Sequence, residues 1–167
     1  MFDSKIIQHA DISQKDLDEI INIKSVAWPY SYKKQVEWIN INIKDSDSHL
    51  LLLSENKVVA YLNLISIELI IDNCNYIGLG VGNVCAIEKG QGYGVELMKK
   101  VNQFITRQDY LGLLFCKTSL VNFYIKNNWN IIEKKRLELS FANNNIETMI
   151  FNSSLLFNKL TYKGRSY

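Results

Sequence analysis

The chain of 167 residues is poor in the residue types that mark special environments: one proline, three cysteines and two histidines. It contains no apolar run near the ~20 residues that a membrane-spanning helix requires. Its first residues, Met1-Phe2-Asp3-Ser4-Lys5, lack the basic-then-apolar build of a signal peptide, so a cytoplasmic protein with no membrane partner is expected. Cys74, Cys85 and Cys116 are odd in number, and two of them lie in apolar runs. That pattern reads as buried thiols in a reducing compartment rather than as a disulfide framework. No Cys or His pair has ligand spacing, and His9 and His49 stand alone, so no metal is expected. Charge is nearly balanced, with 19 Lys and Arg against 17 Asp and Glu. The densest basic cluster, Lys134-Lys135-Arg136, fits a solvated strand edge, and no nucleic-acid partner is expected.

What is present is ordinary core-forming material, 47% hydrophobic and 22% charged, in a length that can bury a proper core as one domain. Lys5 to Gln8 reads as a short strand, and Ser13-Gln14-Lys15-Asp16 as a capping box that opens a helix through Leu17, Ile20 and Ile21. Pro29 ends that helix, and a second begins near Tyr32 with Val36, Ile39 and Ile43 on one face. Leu50 to Ser54 and Val58 to about Ile67 form two strands joined by a tight turn at Glu55-Asn56. A polar link around Asp72-Asn73 leads to a long strand from Tyr76 to Ile87. Further on, Leu111 to Cys116 reads as a buried strand and Thr118 to Asn127 as a helix. Trp129 to Phe141 and Glu147 to Asn152 are expected to pair as a hairpin across Asn143-Asn144-Asn145. The order of elements predicts a mixed α/β sheet with helices on both faces, not a doubly wound parallel sheet.

One stretch points to chemistry. Gly82-Asn83-Val84-Cys85-Ala86-Ile87 is β-branched and apolar, and it breaks into the loop Glu88-Lys89-Gly90-Gln91-Gly92-Tyr93-Gly94. A helical pattern follows at once, with Val95, Met98, Val101 and Ile105 recurring at helical spacing. A strand, a glycine loop and a helix start form a device for holding an anion. The glycines let main-chain N–H groups turn inward, and the helix N-terminus adds positive potential. A Rossmann reading fails, because the spacing is Gly90-x-Gly92-x-Gly94 and the segment follows several strands. A P-loop reading fails too, because no Gly-Lys-Ser/Thr closes the loop.

A second element lies downstream, where Phe123-Tyr124-x-Lys126-x-x-Trp129 sets an aromatic pair on a short helix that exits through Asn127-Asn128. With both elements in order, the chain resembles the GNAT superfamily of acyl-CoA-dependent N-acetyltransferases. Lys89-Gly90-Gln91-Gly92-Tyr93-Gly94 is similar to that family's pyrophosphate loop, with lysine in the basic position. Phe123 to Trp129 is similar to its Tyr-x-x-x-Gly-Phe/Trp element. Asn128 stands where glycine is usual, and Lys117 stands where an asparagine often contacts the pantetheine arm. The resemblance implies a mostly antiparallel sheet of about seven strands flanked by about four helices, in a single domain over residues 1–152. Residues 153–167 would then form a C-terminal extension.

The resemblance also implies acetyl-CoA as co-substrate and a primary amine of a small molecule or peptide as acceptor, attacked directly in a ternary complex. Main-chain N–H groups of Gly90, Gln91, Gly92, Tyr93, Gly94 and Val95 would cradle the pyrophosphate, with the Lys89 side chain as charged partner. The main chain of Val84, Cys85 and Ala86 would bind the pantetheine arm like an added strand, and Tyr124 would protonate the departing thiolate. Trp28, Tyr30, Tyr32 and Trp38 straddle the loop between the first two helices, which in that family borders the acceptor, and they either wall the acceptor or pack the loop down; Asn83 orients the acceptor amine or else stabilises a strand bulge.

Other features stay open at this level. Gly78, Gly80 and Gly82 alternate and so strip one strand face, which reads either as the floor of an acceptor channel or as tight packing against a bulky neighbour. Cys85 reads as a structural thiol in preference to an acyl-enzyme nucleophile. Glu68 and Asp72, placed in the link before the glycine-bearing strand, are weak base candidates. The rival functions are a non-catalytic acyl-CoA sensor and an interaction module that forms a homodimer through the apolar tail from Phe151 to Phe157.

Overall fold

A computed structural model describes residues 1–142, 145–154 and 156–167, and it divides into two units. Unit 1 comprises Met1–Ile65 with Gly82–Val101, and unit 2 comprises Ser66–Val81 with Asn102–Tyr167.

Unit 1 opens with β1 (Phe2–Gln8), followed by α1 (Gln14–Ala27) and α2 (Tyr32–Asn42). Ser13 caps α1, its Oγ accepting from the Asp16 N–H and donating to the Asp16 carboxylate, so the capping box forms as its residues dictate. Ser31 caps α2 two residues after Pro29. β2 (Ser48–Ser54) and β3 (Lys57–Ile71) meet at Glu55-Asn56, where φ is +50° and +63°, the left-handed pair of a two-residue hairpin turn. β1 pairs with β2 and β2 with β3, both antiparallel. Ile20, Ile23 and Ile39 from the two helices bury against Leu51 and Tyr61 of these strands.

β4 (Cys74–Ala86) follows β3. The expected polar link at Asp72-Asn73 is a second tight turn, with φ of +48° and +68°, and both strands run longer than their apolar pattern suggested. Glu68 consequently lies within β3, and the Asp72 carboxylate accepts from the backbone N–H groups of Asn158 and Lys159. α3 (Tyr93–Arg107) leads to β5 (Leu111–Lys117), which runs parallel to β4 over Gly78–Gly80 against Leu111–Leu113.

α4 (Val121–Lys126) is a six-residue helix entered through a 3-10 turn at Thr118–Leu120. β6 (Asn130–Ile131), β7 (Leu137–Leu139), β8 (Ile146–Phe151) and β9 (Leu160–Tyr162) complete the sheet. The expected final hairpin is not formed as a simple pair. β6 pairs with β8, while a 3-10 turn at Lys134–Arg136 diverts the chain so that β7 pairs with β9. Arg136 holds that turn by donating to the Phe157 carbonyl and stacking its guanidinium 4.4 Å from the Phe157 ring centre, so the basic triplet is no mere strand edge. Asn143 and Asn144 of the expected hairpin loop lie outside the described residues. Residues 160–162 of the C-terminal segment join the sheet beside β3.

The hydrogen-bonded strand order is β1-β2-β3-β4-β5-β8-β6, with β9 pairing both β3 and β7. Five of the pairings whose register is defined are antiparallel, and β4–β5 and β7–β9 are parallel. The sheet is thus mixed and mostly antiparallel, with nine strands among the described residues rather than about seven.

Candidate functional site

The glycine loop closes β4 and opens α3, all within unit 1. Gly90 and Gly92 take φ of +82° and +76°, and a Cβ placed on either would meet no atom within 4 Å. Two left-handed glycines one residue apart are backbone positions that L side chains rarely adopt, as a loop that turns its N–H groups toward an anion requires. The main-chain bond from the Glu96 N–H to the Gly92 carbonyl (3.1 Å) starts the helix there, so the free N–H groups of its first turn fall in the same loop. Residues 87–92 are exposed. Gln91 Nε2 donates to the Glu88 carboxylate at 3.0 Å, which ties back the acidic side chain of the loop. Lys89 makes no ion pair among the described residues.

β4 loses its β5 partner after Gly80, although it continues to Ala86. Asn83 then takes a left-handed φ of +52° inside the strand, a bulge conformation that asparagine tolerates. Its side chain is held at both ends. Lys24 Nζ donates to its Oδ1 at 3.2 Å, and its Nδ2 donates to the Asn63 Oδ1 at 2.7 Å. Cys85 is buried, and burial pushes its thiol up to about 12 against the opposing pull of Lys24. Burial and a raised pKa are the environment of a structural thiol.

The aromatic residues between α1 and α2 separate by role. Trp28 packs on the unit 1 core, and its carbonyl accepts from Gln35 Nε2 at 2.7 Å. Tyr32 turns outward: its hydroxyl donates to Asp18 at 2.7 Å and accepts from Gln14 at 2.9 Å, on the exposed side of α1. Tyr30 is 61% exposed. Sequence reasoning grouped Trp38 with these rings but missed Lys24. Lys24 is 2% exposed, with its ammonium 3.8 Å from the Trp38 ring centre and 5.6 Å from that of Trp28. Burial lowers its pKa to about 8. A lone lysine inside an isoleucine-rich helical stripe was the only signal available.

Tyr124 belongs to unit 2, on α4. It is buried, Phe123 meets it edge-on at 5.1 Å, and its hydroxyl has no hydrogen-bond partner among the described residues. Burial, with Cys116 adding to it, raises its pKa well above the ordinary phenol value, which keeps the proton on the oxygen. Asn128 ends the helix with φ of +68°, so asparagine does serve in the glycine position.

The glycine face of β4 is correspondingly packed. A Cβ on Gly78 would come 2.8 Å from the Leu111 carbonyl, and one on Gly80 would collide with the Tyr167 ring, whose hydroxyl donates to the Leu113 carbonyl at 3.0 Å. At these two positions tight packing, and not an open channel floor, explains the missing side chains.

The fold is that of the GCN5-related N-acetyltransferases. An acyl-CoA N-acyltransferase from Pseudomonas aeruginosa superposes with TM-score 0.64 at 19% identity, over 90% of this chain and 99% of that one. Escherichia coli ElaA gives 0.61 at 18% identity, again over 90% and 99% of the two chains. A GCN5-related N-acetyltransferase from Anabaena variabilis gives 0.64 at 18% identity, over 77% of this chain and 32% of the other. No protein-family model matches the sequence, and no curated protein matches it. No helix among the described residues is long and apolar enough to cross a membrane, and none of their side chains forms a metal-binding group of three.

Proposed function

We propose that the protein is an N-acetyltransferase that carries an acetyl group from acetyl-CoA to a primary amine by direct attack in a ternary complex. The observation that carries the reading is the pair of left-handed, sterically open glycines, Gly90 and Gly92, at the N-terminus of α3. They fit a diphosphate, with Lys89 as a charge-assisted partner and the N–H groups of residues 90–95 as donors. The main chain of Val84, Cys85 and Ala86, beyond the end of the β5 pairing, is suited to hydrogen-bond the pantetheine arm as an added strand. Acetyl-CoA supplies an activated thioester to the acceptor amine. Tyr124 holds a proton at its phenol oxygen and delivers it to the departing sulfur, and its raised pKa keeps it in the acid form throughout the working range. The likeness in fold to proteins named as acyl-CoA N-acyltransferases and N-acetyltransferases supports the same class of reaction.

Calorimetry with coenzyme A tests the binding half, and a thiol-release assay with acetyl-CoA and an amine panel tests the chemistry. At about 100 times the dissociation constant, coenzyme A is expected to stabilise the fold by about 2.7 kcal/mol. In Tyr124→Phe, kcat is expected to fall about 100-fold with coenzyme affinity unchanged. Absence of coenzyme binding would sink the proposal, and binding without turnover of any amine would leave a sensor.

A further inference from the structure

The polar row under α1 is unbalanced. Lysine can only donate, so the bond from Lys24 Nζ fixes Oδ1 of Asn83 as acceptor and turns Asn83 Nδ2 toward Asn63 Oδ1. The direction of the row is therefore set, and it ends on the Asn63 amide nitrogen. That nitrogen is buried and has no partner among the described residues, in a residue with 0% exposure. Lys24 itself spends one of its three hydrogens on oxygen; its ammonium also lies over the faces of Trp38 and Trp28, and the titratable groups that interact with it are the buried thiol of Cys85 and the buried imidazole of His49. Lys24 makes no ion pair among the described residues, and the two buried carboxylates of unit 1 are engaged elsewhere. Asp16 bonds Lys5 at 2.8 Å, and Asp47 accepts from the Lys44 N–H at 2.7 Å. The row thus holds a buried cation and an unpaired donor with no carboxylate among the described residues paired to them, an arrangement that costs stability unless an anionic oxygen completes it.

We propose that Lys24, Asn83 and Asn63 form the anchor for a carboxylate on the acceptor, so that the amine acetylated belongs to an amino acid or a similarly zwitterionic molecule. This rests on the acetyltransferase reading, and it adds the chemical class of the acceptor. Asn83 directly precedes Val84, Cys85 and Ala86, so the anchor lies beside the segment assigned to the thioester arm. One lysine and neutral amides suit a single negative charge; a phosphate dianion would call for more cations than the row contains. Lys24 is mostly protonated at neutral pH, as a carboxylate anchor requires.

The probes are L-amino acids, each paired with the amine that remains when its carboxyl group is removed. Both are assayed by thiol release from acetyl-CoA, with coenzyme A binding measured separately by calorimetry. The amino acid is expected to lead its paired amine by at least about tenfold in kcat/KM. Lys24→Met should erase that lead through KM with coenzyme affinity unchanged, and Lys24→Arg should keep part of it. In the unaltered protein the lead should shrink as pH rises past 8, where Lys24 loses its proton, a readout that survives even if a variant misfolds. Equal use of both partners, a lead that ignores Lys24→Met, or a lead constant through pH 9.5 would overturn the anchor. So would coenzyme binding with no turnover of either set. Failure of coenzyme A to bind would instead remove the acetyltransferase reading beneath it.

Discussion

The Trp129 network of unit 2 and the Lys24 row of unit 1 bury their polar groups to opposite effect, although each unit leaves one buried side-chain atom unpaired among the described residues, Thr148 Oγ1 in unit 2 and Asn63 Nδ2 in unit 1. In unit 2 the books balance around Trp129: its indole N–H donates to Asn102 Oδ1 at 2.8 Å, and Asn102 Nδ2 donates to the Asn127 carbonyl. Asn127 Nδ2 in turn donates to the Phe123 carbonyl. Each donor has its acceptor, and the result ties the end of α4 to β6. In unit 1 the row from Lys24 through Asn83 to Asn63 ends in an unpaired amide and begins in a cation with one oxygen partner. A network whose donors and acceptors match is explained by folding alone. Under the proposal above, one with donors left over is completed by the acceptor's carboxylate.

The largest expected effect breaks the balanced side. Trp129→Ala removes a side chain that is 1% exposed and strands the Asn102 carbonyl, and is expected to cost about 3–5 kcal/mol in urea unfolding. Next comes acid. His49 is fully buried between His9 (2.9 Å) and the Tyr61 hydroxyl (2.8 Å), and burial together with the neighbouring cations lowers its pKa to about 4. The unfolded chain therefore binds the proton first as pH falls. Stability holds above about pH 6.5 and declines toward pH 4, by about 3 kcal/mol from this residue, and His49→Phe should flatten the decline in pH-dependent urea titrations.

Lys24 sharpens the contrast, because its removal is expected to stabilise. Its pKa of about 8 lies below the unfolded value of 10.5, so stability rises with pH between the two and the full penalty stands below pH 8. That penalty is about 3 kcal/mol, offset by about 1–2 kcal/mol of cation–π attraction. Lys24→Met is expected to gain about 1–2 kcal/mol at pH 7 and less at pH 10, measured by chemical denaturation at both. The smallest effect is at the loop: Gly90→Ala forces a side chain into φ of +82° and should weaken coenzyme A about fivefold, with little change in Tm.

The fold was largely legible because its signals are local. The Ser13 cap, the stop at Pro29, the turn at Glu55-Asn56 and the left-handed end at Asn128 each depend on a few neighbouring residues, and each appears where its chemistry puts it. Strand partners were less legible. The diversion of β7 to β9 depends on Arg136 reaching Phe157, a contact across 21 positions that no periodicity records. The same limit governs the site. The glycine loop could be read because its residues are contiguous, whereas the outward turn of Tyr32 depends on Asp18 and Gln14 of another helix.

By itself the amino-acid order determined a strand, a glycine loop and a helix start at residues 82–95, since backbone freedom and helix capping act over a few bonds. It determined equally that Tyr124 would sit on a short helix ending at Asn128. Only the tertiary structure decided that Gly80 would face Tyr167 and that Lys24 would lie beneath Trp38 with one oxygen to bond. Burial and the matching of donors to acceptors are set by groups distant in the chain, and they exist only once the strands and helices have met.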